Sequence, residues 1–291
     1  MKKVLITGKG SYIGRSFLSY VSDFKDIIVE ELDVHTNAWE KLSFSGYDVI
    51  FHVAALVHLA NPSQEMDAIY HQVNTQLPFA LAKKAKEEGV TQFIFMSSMS
   101  VYGDLKEPGV ITKNTIPAPQ SLYGRSKLEA EKLLVNLSSP TFNVAIVRPP
   151  MVYGLGAKGN YQRLSNLANK LLIFPKVNNS RSMIYIDNLS EFIRLLIKNE
   201  EAGTFHPQNS FYVNTSQLVK EIKQNHGKSI LLLPGFDRLL RGMGRIFPIF
   251  NKLFSDLVYA KELSDYPEFY QLVSFSDSIK RTERNKNSVN E

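Results

Sequence analysis

Short apolar runs that alternate with helix-length stretches constrain this chain more than any other feature of its first half. Val4-Leu5-Ile6, Ile27-Ile28-Val29, Asp48 to Val53, Gln92 to Met96 and Phe142 to Val147 read as strands. Helical periodicity covers Tyr12 to Val21, a segment ending near Lys83 to Glu88 with Gly89 as its stop, and Leu122 to Asn136. The run through Val49-Ile50-Phe51 is apolar on consecutive residues, as a strand covered on both faces must be. Alternation at this spacing predicts an α/β fold, a Rossmann-type doubly wound parallel sheet with helices on both faces.

Beyond Arg148-Pro149-Pro150 the texture changes: Pro, Gly and Asn become frequent and apolar runs shorten. Leu189 to Ile197 has helical period and is expected to pack back on the sheet. The expected organisation is therefore a dinucleotide-binding domain over residues 1–150 plus about 183–202. A smaller, discontinuous C-terminal substrate lobe takes 151–182 and 203–275. Residues 280–291 are polar without period and are expected to be a frayed tail. Segment 236–257 mixes basic and large apolar residues; a lobe helix packing its Leu, Ile and Phe is the favoured reading over a membrane or partner contact.

Composition narrows the function classes. With 44% hydrophobic and 21% charged residues the chain has the makings of a globular core and not of a disordered polymer. The absence of cysteine excludes disulfides, thiolate metal sites and a cysteine nucleophile, and no metal site is expected. A net charge of +6 spread along the chain suits an anionic small molecule, and no nucleic-acid module is visible, so no nucleic-acid partner is expected. The apolar run at the start stops after Ile6, short of the roughly 7–15 residues of a signal core. No stretch reaches the ~20 apolar residues of a membrane span, so a cytoplasmic protein is expected.

Thr7-Gly8-Lys9-Gly10-Ser11-Tyr12-Ile13-Gly14 lies at the first strand–helix junction. Glycines there let the backbone turn sharply and approach a pyrophosphate, while the helix N-terminus attracts the anion. A short-chain dinucleotide loop would carry glycine at 8, 11 and 14, and here position 11 is Ser. The carboxylate expected after the second strand, to accept hydrogen bonds from a ribose, has three candidates: Glu30, Glu31 and Asp33. The stretch from Val29 to Asp48 is too short for a further strand, which sets Asp33 and Val34 near an adenine ring; NAD and NADP both stay open.

Tyr123 and Lys127 stand four apart on a helix and share a face. A tyrosine of ordinary pKa near 10 exchanges protons poorly at neutrality, and a nearby ammonium is expected to lower it. Such a tyrosine gives a proton to a carbonyl oxygen, or takes one from an alcohol, while hydride moves at the carbon. Ser98, just past a buried strand at the end where such sheets bind ligands, is placed to fix that oxygen. Tyr-x-x-x-Lys is common by chance; its order after a glycine loop and a serine-ended strand is not.

With these motifs the chain resembles the extended short-chain dehydrogenase/reductases, the nucleotide-sugar epimerases, dehydratases and reductases, over about residues 1–275. The resemblance rests on Thr7 to Gly14, His52-Val53-Ala54-Ala55, Asn74, Ser98, Tyr123 with Lys127, Arg148 to Gly154, and Arg181 to Asp187. It implies an NAD(P)(H) coenzyme held by Gly8, Gly10, Ser11, Tyr12, Ile13, Gly14, Asp33, Val34, Val53, Ala54, Ala55, Asn74, Ser97, Tyr123, Lys127, Pro150 and Val152. It implies Ser98, Tyr123 and Lys127 as catalytic residues, and Ser98, Tyr102, Asn160 and Arg181 on a UDP-linked sugar, the last two at its diphosphate. Phe93 to Ser98, Val144 to Gly154 and Phe205 to Asn209 look like capsule and surface-polysaccharide reductases acting on UDP-2-acetamido-2,6-dideoxy-4-hexuloses. Met99 and Ser100 stand where a dehydratase would carry an Asp-Glu pair. A UDP-hexose 4-epimerase, which regenerates its NAD, is the alternative; a redox-inactive NAD(P)-binding regulator is a remoter one. The resemblance is also compatible with a homodimer.

Overall fold

The computed structural model describes residues 1–57, 64–103, 105, 109–236 and 254–284. They form two compact units, the first from Met1–Asp104, Thr115–Pro149 and Leu189–Pro207, the second from Leu105–Asn114, Pro150–Asn188 and Gln208–Glu291.

Numbered along the chain, the first unit holds strands β1 (Lys2–Thr7), β2 (Ile27–Leu32), β3 (Val49–His52), β4 (Gln92–Met96), β6 (Asn143–Val147) and β10 (Gly203–Phe205). They lie in the order β10-β6-β4-β3-β1-β2, and every pair is parallel. From central β1 the chain steps to β2 at one edge and then returns to β3 on the other side. That reversal leaves a crevice outside the ends of β1 and β3, where open α/β sheets bind ligands. The Rossmann-type α/β fold is thus present. Between β2 and β3 there is only a 3-10 turn, Asn37–Lys41, capped by the Thr36 hydroxyl, so β2 closes the sheet.

Alternate residues of each strand feed opposite layers. Leu5, Ile50, Phe93, Phe95, Val144 and Ile146 pack with Leu81, Ala85, Ala130 and Leu134 from helices α3 (Leu77–Glu87) and α4 (Leu122–Val135). On the other layer Phe17 of α1 (Tyr12–Val21) meets Phe51 edge-on at 5.4 Å. There too Phe192 of α6 (Ile186–Lys198) meets Phe205 at 6.0 Å. The boundary expected near 202 falls at 207, because Gly203 to Phe205 adds to β6 as a sixth strand.

The second unit is built from parallel strand pairs: β5 (Val110–Ile111) with β12 (Val258–Tyr259), β7 (Met151–Tyr153) with β9 (Met183–Tyr185), and β8 (Ile173–Pro175) with β11 (Leu231–Leu233). Helices α5 (Asn160–Lys170), α7 (Thr215–Asn225) and α8 (Phe275–Arg284) belong to it. The frayed tail expected from Lys280 is corrected here as far as Arg284. Ile279, Thr282 and Glu283 are wholly buried, and the Glu283 carboxylate accepts from Tyr161 (2.8 Å) and Ser165 (2.9 Å) and lies 2.8 Å from His226 Nε2. That face is polar but satisfied, so no apolar period announces it. Residues 237–253 of the basic-apolar segment, and 285–291, lie outside the described residues. No helix among the described residues is long and apolar enough to cross a membrane.

Gly8 sits at φ +123°, and a Cβ there would fall 2.7 Å from the Ala54 nitrogen. The loop therefore needs glycine both for its conformation and for its approach to the end of β3. Gly8→Ala is expected to lower stability by about 1–3 kcal/mol, through left-handed strain and backbone displacement, read as a reduced urea midpoint.

Candidate active site

The glycine loop and the start of α1 form one half of the site in the first unit. Ser11, at the position where glycine was expected, caps α1: its hydroxyl accepts from Gly14 N–H at 3.2 Å. Ser11 N–H turns back to Gly8 O (3.1 Å), and Gly10 N–H donates to Glu31 Oε1 (3.0 Å). Two amides expected to face an anion are therefore engaged within the chain. That of Ile13, in the first helical turn, has no intrahelical acceptor by the geometry of a helix start. Val53 N–H and Ala54 N–H both donate to Thr7 O at 3.0 Å, which fixes the floor of the loop.

The acidic candidates separate clearly. Glu30 is held by Tyr47 and Lys3, which draw its pKa down, Tyr47 most strongly. Asp33 is exposed and folds onto its own neighbour: His35 N–H donates to it at 2.9 Å, and that bond lowers its pKa most. Glu31 is the carboxylate that reaches the glycine loop. Glu31, within β2, is bonded to a loop amide, and Asp33, just past the strand's end at Leu32, is bonded to His35. Val34 is buried in the layer with Trp39 and Phe44.

The other half of the site is the end of β4 against α4. Ser98 caps a 3-10 turn, Met99–Tyr102, by accepting from Ser100 N–H at 3.1 Å. Ser121 caps α4 by accepting from Gly124 N–H at 3.0 Å. A Cβ on Gly124 would lie 2.5 Å from Ser100 O, so only glycine lets the first turn of α4 approach the Ser98 turn. Tyr123 is thereby brought beside Ser98. Both side chains are partly exposed, whereas Lys127 is buried and donates to Met96 O at 2.8 Å, its ammonium 4.4 Å over the Phe95 ring.

The electrostatics correct one expectation. Burial pushes Tyr123 up to about 12, with the neighbouring Ser98 hydroxyl opposing it. Burial pulls Lys127 down to about 7, with the Glu131 carboxylate opposing it. The ammonium does not lower the tyrosine pKa here, because it lies 6.0 Å from the Tyr123 ring centre and spends its hydrogen bond on Met96. The phenol is thus held protonated, the state a proton donor needs.

Three other residues expected at the site are hydrogen-bonded within the first unit. Asn74, in the π-turn Gln72–Gln76, accepts from Leu56 N–H (2.8 Å) and donates to Leu56 O (3.0 Å) and Ser126 Oγ (3.1 Å), tying the loop after Ala54-Ala55 to α4. Ser97, expected on the coenzyme, instead turns its hydroxyl inward to Glu131. Tyr102, expected on the sugar, is buried, with its hydroxyl 2.8 Å from both Arg148 Nη1 and His206 Nε2. In the second unit Pro150 is buried, Val152 lies on β7 and Asn160 is exposed at the start of α5. Arg181 bridges Val213 and Leu257 through its backbone and donates from Nη1 to Ser255 O at 3.0 Å. Glu131, Arg148 and His206 were not singled out as site residues; only the four-residue step beyond Lys127 hinted at Glu131.

Residues 4–207 match the model of the NAD dependent epimerase/dehydratase family. The chain belongs to that family. It is accordingly an enzyme that uses NAD(P). It is 31% identical over 245 residues to a UDP-glucose 4-epimerase of Vibrio cholerae, covering 76% of this chain and 75% of that one. It is 29% identical over 247 residues to an N-acetyl-alpha-D-glucosaminyl-diphospho-ditrans,octacis-undecaprenol 4-epimerase of Escherichia coli O157:H7, covering 78% and 73%. A crystal structure of UDP-glucuronic acid 4-epimerase from Bacillus cereus in complex with NAD shares the fold, with TM-score 0.77 and 17% identity over 99% of this chain and 100% of that one. RMD from Pseudomonas aeruginosa complexed with NADPH shares it at TM-score 0.75 and 16% identity, covering 96% and 98%.

The residues fit the family's coenzyme. The glycine loop leads into a helix start whose Ile13 amide has no intrahelical acceptor, and the Glu31 carboxylate lies at the same loop. Lys127 carries a testable cost. Its pKa falls from 10.5 in the unfolded chain to about 7 in the folded one, so between these values the unfolded state holds more protons and stability rises with pH. Lys127→Met removes that dependence. Urea midpoints are expected to favour the variant most at pH 7 and below, and the advantage is expected to shrink toward pH 10.

Proposed function

We propose that this chain reduces the C4 carbonyl of a UDP-2-acetamido-2,6-dideoxy-4-hexulose, a step in making surface-polysaccharide sugars. The observation that carries the reading is Tyr123 beside Ser98, both partly exposed, with the buried Lys127 one helical turn further on. When bound, the nicotinamide coenzyme supplies or accepts hydride at the sugar carbon. Ser98 holds the C4 oxygen by hydrogen bonding, and Tyr123, kept protonated by burial, gives that oxygen its proton. Lys127 fixes the helix turn and sets a positive charge behind the phenol as the proton leaves. The amide of Ile13 and the carboxylate of Glu31 would hold the coenzyme's pyrophosphate and adenosine ribose, and a carboxylate there favours NAD over a 2′-phosphorylated coenzyme. Asn160 and Arg181 are the diphosphate contacts we assign to the second unit.

Met99 and Ser100 support reduction over dehydration, since the turn after Ser98 offers no acidic pair to eliminate water. A UDP-hexose 4-epimerase is the second reading, supported by the Vibrio cholerae and Escherichia coli relatives. It would use the same three side chains and regenerate its NAD in each cycle.

Incubating the protein with a UDP-4-keto-6-deoxy-N-acetylhexosamine and each reduced coenzyme is expected to consume coenzyme one for one with product. Coenzyme that co-purifies as NAD, with no net consumption and interconversion of UDP-hexoses, would favour the epimerase. Tyr123→Phe is expected to cut turnover at least ~100-fold while coenzyme still binds; unchanged turnover would end both readings.

A further inference from the structure

Glu131 is one helical turn beyond Lys127 on α4, as Lys127 is one turn beyond Tyr123, so the three residues line one face of the helix. Glu131 is 3% exposed, a position where a carboxylate survives only with dedicated partners. Its partners are not those of a surface ion pair. Arg148 engages it two-pronged, Nε on Oε1 at 3.0 Å and Nη2 on Oε2 at 2.5 Å, and the Ser97 hydroxyl donates to Oε1.

Each partner leads back to the Ser98 turn. Ser97 immediately precedes Ser98, and Met96 before it offers the carbonyl that holds Lys127. At the far end of the same turn, Tyr102 accepts from Arg148 Nη1 at 2.8 Å and packs its ring 5.2 Å from the guanidinium. One buried carboxylate–guanidinium pair thus grips the segment on both sides of Ser98, and the carboxylate itself rides on the helix that carries Tyr123 and Lys127.

We propose that Glu131, with Arg148, is a positioning pair that holds the Ser98 turn beside Tyr123 and keeps Lys127 on the Met96 carbonyl. A pair serving stability alone would need no contact with either end of the turn. The Glu131 charge also opposes the loss of the Lys127 proton caused by burial. Neither residue is a proton donor or acceptor to substrate in this scheme. The inference rests on the catalytic roles assigned above to Ser98, Tyr123 and Lys127.

The test compares the full chain with Glu131→Gln, Glu131→Gln/Arg148→Gln and Tyr123→Phe. Glu131→Gln keeps the shape and an acceptor for Ser97; the double variant leaves neither member of the Glu131–Arg148 pair as an unpaired charge and guards against a folding defect. Both are expected to lower kcat ~10-fold or more while KM for the UDP-4-keto sugar and the Kd for coenzyme stay within ~3-fold, the pattern of misplacement and not of lost binding. The double variant is expected to stay slow although its thermal midpoint returns toward that of the unaltered chain. A readout needing no sugar is the 13Cζ resonance of Tyr123, assigned with Tyr123→Phe, which is expected to shift in both variants as the Ser98 contact loosens. A double variant with kcat within ~3-fold of the unaltered chain would overturn the proposal. So would an unmoved Tyr123 resonance if no turnover is found with any sugar. Full activity of Tyr123→Phe would instead overturn the functional reading itself.

Discussion

The hydrogen bond from the buried Lys127 ammonium to the Met96 carbonyl joins the catalytic helix to the strand end on which the site is built. Met96 is the last residue of β4, so its carbonyl lies where the ladder with β6 ends and needs another donor. Lys127 meets that need, and in doing so is drawn out of water to lie over Phe95. The low pKa of the lysine and the placement of Ser98 two residues downstream follow from the same contact. Close approach of the two elements then falls to Gly124, the residue beside Tyr123, where any side chain would collide with Ser100 O.

Much of this was legible as pattern. The parallel strands announced themselves as consecutive apolar residues, because a strand covered by helices on both faces has no polar side to show. The serine-ended strand and the Tyr-Lys step read correctly as neighbours, because a helix fixes which residues share a face. Ser11 departs from the glycine loop in residue type and keeps a related job by capping the helix it introduces.

What escaped the sequence is buried polarity. Glu131, Arg148 and Glu283 are charged residues in interior positions, and their hydrogen-bonding partners come from distant parts of the chain: Glu131 with Ser97 and Arg148, Glu283 with Tyr161, Ser165 and His226. Hydropathy reads such residues as surface, which is why α8 looked like a loose tail. The tyrosine pKa went astray for a related reason. Residue spacing reports that an ammonium is near, but not how far the surroundings desolvate the pair, Lys127 most of all, and burial then outweighs a charge that is turned toward a carbonyl. Which of Glu30, Glu31 and Asp33 reaches Gly10 is not written in the spacing either: alternation separates 30 from 31 but treats 31 and 33 alike, and it is the contact itself that singles out Glu31.

The central claim is that these side chains govern proton transfer at the oxygen of a sugar carbon that exchanges hydride with the coenzyme. Reduced coenzyme carrying deuterium at C4 of the nicotinamide, incubated with the protein and a UDP-4-keto-6-deoxy-N-acetylhexosamine, tests it most directly by NMR of the sugar. The account predicts deuterium at sugar C4 with loss of the ketone signal, and none of either with Tyr123→Phe. Deuterium at another carbon, or C4 reduction that persists undiminished in Tyr123→Phe, would contradict it.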